Sequence, residues 1–429
     1  MSMDDDFAPA GASAPVAGSA ASPGKVRRRS LLLGGAGATA LVAGVTSDAR
    51  GDNTATVTTT ATASEAVFST YGAQQRALLS EPPAAVAVLS FDVVADRRAD
   101  LTELFKIISD RVRVLGTGSA VAASDPSHPP VDNGLLGPSF PGGRVGTVVG
   151  VGASLFDDRF GLAEHKPSGL APMRTFPNDN LDTKLTHGDL SIQLTAADPD
   201  VVTHALRDLT KHTRGLMQPR WRVNGSAPPA RPDGAPRNLL GFKDGTSNPE
   251  TDPATLGRLI WVGGRQPAWA SGGTFQVIRI IRNLVEFWDR VSLQEQELMF
   301  GRQRDTGAPL DGNRESDEPD FKRDPQGLVI PLDAHIRLAN PRTATSDPSR
   351  ILRRSWNYDL GLDSNGQLNQ GTLFTCYQQD LRRQFEAVQT RLIDEPLTDY
   401  ISPVGGGYFF VLPGMSDSDD YLARPLLNL

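Results

Sequence analysis

The globular part of the chain begins with two successive patterns of apolar residues. The first alternates between apolar and polar positions, and the second recurs at helical spacing. Residues 86–95 carry β-forming side chains at alternating positions, which predicts a strand. Apolar side chains then recur at helical spacing over 101–112, which predicts an amphipathic helix. This succession indicates an α+β unit with an antiparallel sheet. Further predicted elements are strands at 145–153 and 189–195, a helix at 201–210 and a Gly- and Pro-rich loop at 118–143.

A second set of elements follows in roughly the same order, which indicates two related α+β halves. Ser292 and Glu295 form a capping box that predicts a helix start, and apolar positions over 381–392 predict a helical stripe. We expect the charged segment 302–323 to be a surface loop or, alternatively, a loop that borders a channel. The acidic tail from Ser416 is expected to be loosely packed. Predicted strands lie at 259–262, 274–281, 327–331, 372–377 and 408–412.

Composition limits the classes of function. The chain has 429 residues, of which 39% are hydrophobic and 22% charged, as is ordinary for a globular protein. Its net charge of −7, without a basic cluster after the N-terminus, argues against nucleic-acid binding. Cys376 is the one cysteine in the sequence, so no intrachain disulfide can form.

The N-terminal 49 residues have the features of an export signal. Three arginines, Arg27, Arg28 and Arg29, precede an apolar, glycine-rich run and then small residues. The Arg-Arg-x-Leu-Leu form looks like a twin-arginine signal, which places the mature protein outside the cell or in its envelope, periplasmic in a Gram-negative cell. A membrane anchor is the alternative, but the run is shorter than the ~20 residues of a span. The predicted organisation is signal 1–49, linker 50–62 and domains 63–220 and 221–429.

One segment, 241–249, offers a candidate acid. Asp244 lies beside Gly241 and Gly245, which let the backbone turn sharply and approach a ligand closely. A carboxylate in that place can move a proton during catalysis. An ordinary Asp-Gly turn is the alternative.

A second segment, 335–358, offers a metal-ligating histidine and a cluster of arginines. His335 competes with five other histidines, and Cys376 is a rival ligand that sits mid-strand without a basic neighbour. Arginine stays charged and stabilises developing negative charge. Chemistry alone does not choose between Arg350, Arg353 and Arg354.

From about Val86 to the C-terminus the chain resembles dye-decolourising peroxidases, in the branch of the deferrochelatase/peroxidases. Both segments carry that resemblance: 241–249, and 335–358 with its His-x-Arg-x-x-Asn-Pro-Arg run. The resemblance implies an α+β fold of two ferredoxin-like domains with facing antiparallel sheets, of the dimeric α+β barrel type. It also implies one haem b per chain between a sheet and helices, with its iron bound by His335.

The resemblance assigns the remaining roles. Asp244 and Arg353 become the catalytic residues of the distal side. Asp380 is expected to accept the proton of the second ring nitrogen of His335, or else to cap a helix. Residues expected to contact the cofactor are Lys243, Gly245, Asn340, Pro341, Arg342 and Phe374, and candidates for relaying electrons are Trp356, Tyr358, Tyr377 and Tyr400.

The implied function is an exported haem b peroxidase that reduces hydrogen peroxide through a ferryl state and oxidises aromatic, dye-like reductants. One alternative is a deferrochelatase, which releases iron from haem and leaves the porphyrin intact. Another is a haem-binding protein without catalysis. The expected partners are hydrogen peroxide and a small aromatic molecule, with no nucleic acid and no membrane segment after removal of the signal. A homodimer is a further candidate for the assembly.

Overall fold

Nine strands form one antiparallel sheet in the part of the chain that the computed structural model describes, residues 70–118, 125–137 and 144–429. The predicted signal, the predicted linker and parts of the predicted 118–143 loop lie outside the described residues. The strands are β1 Ala85–Val93, β2 Gly146–Gly152, β3 Leu190–Ala196, β4 Met217–Ser226, β5 Thr274–Asn283, β6 Leu352–Arg353, β7 Trp356–Leu362, β8 Leu368–Gln378 and β9 Ile401–Val411.

The α-helices are shorter in the second half than in the first. They are α1 Arg98–Thr117, α2 Pro199–His212, α3 Pro253–Leu259, α4 Val285–Trp288, α5 Leu293–Phe300, α6 His335–Ala339, α7 Ala387–Arg391 and α8 Arg424–Leu427. A π-helix, Arg382–Glu386, leads into α7. Short 3-10 turns lie at Arg76–Leu79, Ala153–Phe156, Ala163–His165, Thr183–Leu185, Ala268–Ala270, Asp347–Ser349 and Pro396–Asp399.

The first half has the ferredoxin-like succession of elements. Its chain order is β1-α1-β2-β3-α2-β4, and its strands lie side by side as β2-β3-β1-β4. Asp198 caps α2 by accepting a hydrogen bond from the backbone N–H of Asp200, and Pro199 occupies the first turn. Both long helices pack their apolar stripes on the outer face of this sheet. The predicted strand, helix and strand pattern of this half is confirmed.

The second half repeats the same strand plan. Its strands lie side by side as β9-β5-β8-β7, and the two halves join into a ring. At one junction β2 pairs with β9 at three positions, and at the other Ser226 of β4 pairs with Asn357 of β7. The predicted fold of two ferredoxin-like units in an α+β barrel is therefore confirmed. The predicted boundary between residues 220 and 221 falls within β4.

Side chains fill the interior of the ring, between the strands of the first half and those of the second. Gln193, Gln276 and Tyr377 join there through buried hydrogen bonds of 3.1–3.5 Å. Because this interior is packed, a large cofactor has to lie elsewhere. The apolar side chains of the interior are Val86, Val88, Trp221, Val223, Ile278, Ile280, Trp356, Tyr358, Leu373 and Phe409.

Two predicted strands are wrong. Residues 259–262 are the end of α3 and a following turn, since Asp252 caps a helix that runs into them. Residues 327–331 form a bend and not a strand, because the carboxylate of Asp324 accepts the N–H groups of Leu328, Val329 and Ile330. Those three donors are therefore not available to a strand ladder.

The predicted loose tail is also wrong. Residues after Ser416 include α8, and Leu422, Leu426 and Leu427 are buried in the main core. In the described part of the chain, no helix has the length and apolar character needed to cross a membrane.

Candidate active site

A wide cavity lies on the outer face of the second-half sheet, between that sheet and the short helices that follow β5 and β8. It encloses about 1770 Å³ of space, counting its opening to solvent. Arg279, Ile281 and Asn283 face it from β5, because alternate residues of a strand point to the same side. Phe374 faces it from β8, and α6 provides His335. The cavity thus brings together side chains that lie far apart in the sequence.

His335, the first residue of α6, is held by Glu395. The distance from Nδ1 of His335 to Oε2 of Glu395 is 2.6 Å, and the Glu395 side chain is only 3% exposed. Burial lowers the pKa of His335, but the carboxylate outweighs it and raises the pKa. A quarter of the histidine side chain is exposed, and it lines the cavity. With Nδ1 engaged, Nε2 is the nitrogen available to a metal ion.

The assignment of Asp380 as the partner of His335 is wrong. The Asp380 carboxylate accepts the backbone N–H of Arg383 at 2.9 Å, so it caps the turn that opens the π-helix. Asp380 does not line the cavity. Glu395 precedes the 3-10 helix Pro396–Asp399 and reaches the histidine from there.

Asp244 and Arg353 meet at the cavity wall. Nη2 of Arg353 lies 3.8 Å from Oδ1 of Asp244, and each side chain is 24% exposed. Gly241 and Gly245 have φ values of +88° and +108°, which side chains disfavour, and so the loop around the acid needs glycine there. Arg354, the alternative, points away, because its guanidinium donates to the carbonyl of Leu79 at 2.7 Å.

Asn248 ties the acid loop to the strand that carries the arginine. Its Oδ1 accepts the N–H of Arg353 at 2.9 Å, and its Nδ2 donates to the carbonyl of the same residue at 3.1 Å. One side chain therefore replaces a pair of strand hydrogen bonds at β6. This link joins the segment that follows Asp244 to the backbone of Arg353.

Cations line one part of the cavity. Arg302, Arg342 and Arg350 are among its lining residues. Burial, and then the nearby charge of Arg342, lower the pKa of Arg302 to about 10, and Glu315 opposes the shift. Asn340 lines the cavity, and its Oδ1 accepts the N–H of Arg342 at 3.1 Å. Concentrated positive charge of this kind suits a ligand with carboxylates.

Three of the residues predicted to contact the cofactor do not present a free side chain to the first cavity. Lys243 lines the cavity, but its ammonium group pairs with Glu315 at 2.6 Å. Gly245 lines a second cavity behind the Asp244 loop. Pro341 lines neither of these two cavities.

Five residues line both cavities: Asn238, Asp244, Thr246, Arg353 and Thr372. The lining of the second cavity includes the polar side chains of Asn238, Asn357 and Glu315. A small polar molecule in it would reach the acid and the arginine from the side away from His335.

Two family models match this chain in adjoining stretches. The model described as "Dyp-type peroxidase, N-terminal" matches residues 75–226, and "Dyp-type peroxidase, C-terminal" matches residues 235–416. The chain belongs to the Dyp-type peroxidase family. As a member it is a haem-dependent enzyme with peroxidase activity.

Relatives and solved structures agree with this membership. The chain is 47% identical over 365 residues to a deferrochelatase of Yersinia pestis, covering 83% of this chain and 84% of that protein. A deferrochelatase of Escherichia coli strain 536 is 48% identical over 367 residues, with coverages of 84% and 87%. A Dyp-type peroxidase of Cellulomonas bogoriensis is 33% identical with a TM-score of 0.76, covering 85% and 99%. Ferric DtpA of Streptomyces lividans is 32% identical with a TM-score of 0.76, covering 85% and 98%.

The cavity has the features that a Dyp-type peroxidase needs for haem. Porphyrin supplies four iron ligands, so the protein needs only one imidazole, and His335 offers it. Among the described residues no three His, Cys, Asp or Glu side chains converge to hold a metal ion by themselves. Nδ2 of the buried Asn283 lines the cavity without a hydrogen-bond partner among the described residues, a donor that a polar ligand group would satisfy.

Cys376 has no place in the site. It is buried on β8, outside the cavity lining, and burial raises the pKa of its thiol. A neutral, enclosed thiol is a poor metal ligand. The rival ligand considered for the iron is therefore removed.

Sequence reasoning missed Glu395, Asn248 and Glu315. Glu395 stands in a short turn without a motif of its own, so only the folded chain reveals its contact with His335. Asn248 lies within the matched 241–249 segment and could have been singled out as a polar residue beside the acid. Glu315 belongs to the charged segment 302–323, for which a channel-bordering loop was the alternative prediction, and it lines the second cavity.

Proposed function

We propose that this protein is an exported haem b peroxidase that reduces hydrogen peroxide and oxidises small aromatic, dye-like reductants. One observation carries the proposal: a Glu395-supported histidine and an acid–arginine pair line the same cavity. The supported histidine can bind a haem iron, and the acid–arginine pair can assist cleavage of the peroxide O–O bond.

In this proposal the protein's residues divide the work between the two sides of the cofactor. Bound haem would supply an iron centre that gives two electrons to peroxide and regains them one at a time from reductants. His335 would hold the iron through Nε2, while Glu395 accepts the Nδ1 proton and makes the imidazole more basic. Arg342, Arg350 and Arg302 are placed to pair with the propionates.

Asp244 and Arg353 act on the peroxide. The Asp244 carboxylate takes a proton from one peroxide oxygen and delivers it to the other, which leaves as water. The Arg353 guanidinium stabilises the negative charge on the peroxide as the bond breaks. We infer that peroxide arrives through the second cavity, because both side chains line that cavity as well as the first.

An absorption spectrum of the haem-reconstituted protein tests the proposal. We expect a Soret band in the wild type that changes when one equivalent of hydrogen peroxide is added. The band should weaken or shift in His335→Ala and stay as in the wild type in the control His128→Ala, whose side chain is 75% exposed. Equal haem spectra in wild type and His335→Ala would contradict the assignment of the ligand.

A deferrochelatase is the second candidate, because relatives that share 47–48% of their residues with this chain bear that name. The reaction removes iron and leaves the porphyrin intact, and the same cavity would hold the haem. Fluorescence of metal-free porphyrin, released from haem that is incubated with the protein and a reductant, would support it. Peroxide turnover without any such release would favour the peroxidase.

Export by the twin-arginine route is proposed from the sequence of the first 49 residues. Replacing Arg28 and Arg29 together by lysine should retain the full-length protein in the cytoplasm when the cells are fractionated. Unchanged export of that variant would exclude this route. The size of the purified protein in solution would test the proposed homodimer.

A further inference from the structure

Three hydrogen-bond donors contact the carboxylate of Glu315 beside the loop that carries Asp244. Its Oε2 pairs with Nζ of Lys243 at 2.6 Å, and the Lys243 side chain is only 3% exposed. Its Oε1 accepts the hydroxyl of Thr246 at 2.9 Å and the backbone N–H of Ala235 at 3.1 Å. One carboxylate thus receives three hydrogen bonds, one of them charge-assisted.

The partners of Glu315 flank the catalytic acid. Lys243 directly precedes Asp244, and Thr246 follows it by two residues. Ala235 precedes Pro236, whose carbonyl accepts the N–H of Asp244 at 2.9 Å. The carboxylate therefore contacts the loop on both sides of Asp244 and also the segment at Ala235 and Pro236, to which Asp244 is hydrogen-bonded.

Two glycines leave the space that the ion pair between Lys243 and Glu315 occupies. A Cβ atom on Gly307 would meet Cδ of Lys243 at 2.7 Å, and one on Gly234 would clash with the Glu315 carboxylate. Arg302 fixes the segment, because its guanidinium donates to the carbonyl of Glu315 at 3.1 Å and to that of Gly307 at 2.6 Å. Burial acts to raise the pKa of Glu315, but hydrogen bonds from Lys243, Ala235 and Thr246 outweigh burial and lower the pKa below its usual value, so the carboxylate is charged at neutral pH.

We propose that Glu315 is a positioning residue that holds the Asp244 loop against the charged segment 302–323 and so fixes the acid relative to Arg353. The inference rests on the proposed peroxidase function, because it concerns the geometry of the same acid. Glu315 itself contacts Lys243, Thr246 and Ala235 and acts on peroxide through Asp244. A displacement of the acid by about 1 Å can slow a reaction by about a hundredfold, so a loosened loop should be visible in kinetics.

The test compares Glu315→Gln with Asp305→Asn, a control that removes the same charge from the same segment at a side chain 85% exposed. The first measurement is hydrogen exchange of the amides of 241–247 in the haem-free proteins. The second is the rate of the reaction with hydrogen peroxide in the haem-loaded proteins from neutral to acid pH, with haem affinity measured alongside. Thr246→Val, which removes one of the three bonds, serves as a milder variant if Glu315→Gln does not fold.

For Glu315→Gln we expect faster exchange at Asp244, unchanged haem affinity and a peroxide reaction slower on the order of tenfold. The ratio of wild-type to variant rates should approach one as pH falls through the lowered pKa of Glu315, because the protonated wild type then resembles the glutamine variant. Asp305→Asn should behave as the wild type does, and Thr246→Val should show a smaller loss.

A lower melting temperature with an unchanged peroxide rate and unchanged exchange at 241–247 would overturn the inference, because it would indicate general stabilisation only. If the wild type itself does not react with peroxide, the proposed function fails instead. Hydrogen exchange of the amides of 241–247 in the haem-free proteins would still decide whether Glu315 holds the Asp244 loop.

Discussion

At the scale of single residues, the proximal side depends on which carboxylate holds His335. Glu395 lies 2.6 Å from Nδ1 and is almost fully buried, whereas Asp380 caps a turn. Sequence resemblance identified the histidine correctly as a residue of the cavity, because a motif surrounds it. The partner could not be identified, because contact across 60 positions depends on the fold and not on any local pattern.

We expect Glu395→Gln to keep haem but to raise the midpoint potential of the iron, since a neutral amide makes the imidazole less basic. The peroxide reaction should slow by about tenfold to a hundredfold. Spectroelectrochemical titration measures the potential, and Asp380→Asn is the control that should leave it unchanged. A shift in Asp380→Asn alone would restore the assignment that the geometry removes.

The distal pair gives a second prediction. Asp244→Ala and Arg353→Ala should both retain haem, and the loss of the arginine should slow the peroxide reaction by about a hundredfold to a thousandfold. Stopped-flow spectra at one equivalent of peroxide measure the rates. Arg323→Ala, at a side chain 90% exposed, is the control. Wild-type rates in both distal variants would exclude this pair from catalysis.

At the scale of elements, the regular parts of the chain were predictable and the connections were not. The alternation and helical spacing of the first half describe β1, α1, β2, β3 and α2, because each element buries one face and leaves a periodic trace. Residues 327–331 are just as apolar, yet Asp324 takes up their N–H groups. A side chain that competes for backbone donors leaves no trace in hydrophobic periodicity.

The link between the acid loop and β6 gives a prediction at this scale. Asn248→Ala removes two hydrogen bonds to Arg353, so unfolding should become easier by about 1–3 kcal/mol at roughly 0.5–1.5 kcal/mol per bond. Urea denaturation of the haem-free protein measures the loss. Asn365→Ala, on the exposed turn between β7 and β8, should change stability little. Equal stability of both variants would mean that Asn248 does not support β6.

At the scale of the whole molecule, acid stability follows from carboxylates that accept backbone hydrogen bonds. Hydrogen bonds from the backbone N–H groups of Ile330, Leu328 and Val329 lower the pKa of Asp324, and similar bonds lower the pKa of Asp317 and Asp363. A lowered pKa in the folded state contributes stability that is complete above the unfolded pKa of about 4 and is lost as pH falls through the folded value.

The melting temperature of the haem-free protein should therefore hold from neutral pH down to about pH 5 and then fall steeply towards about pH 3. Differential scanning calorimetry across that range measures it. In Asp324→Asn the fall should be smaller, because one of the contributing carboxylates is gone. A flat profile in the wild type would show that these hydrogen bonds do not persist in solution.

The two halves share one strand plan but complete it in different ways. In the first half α1 and α2 cover the outer face of the sheet, whereas much of the matching face in the second half borders the cavity. Haem bound in the cavity would cover this face of the second-half sheet, as α1 and α2 cover the matching face of the first half. Binding the cofactor and completing the tertiary structure would then be one event, and a chain without haem would be structurally incomplete as well as inactive.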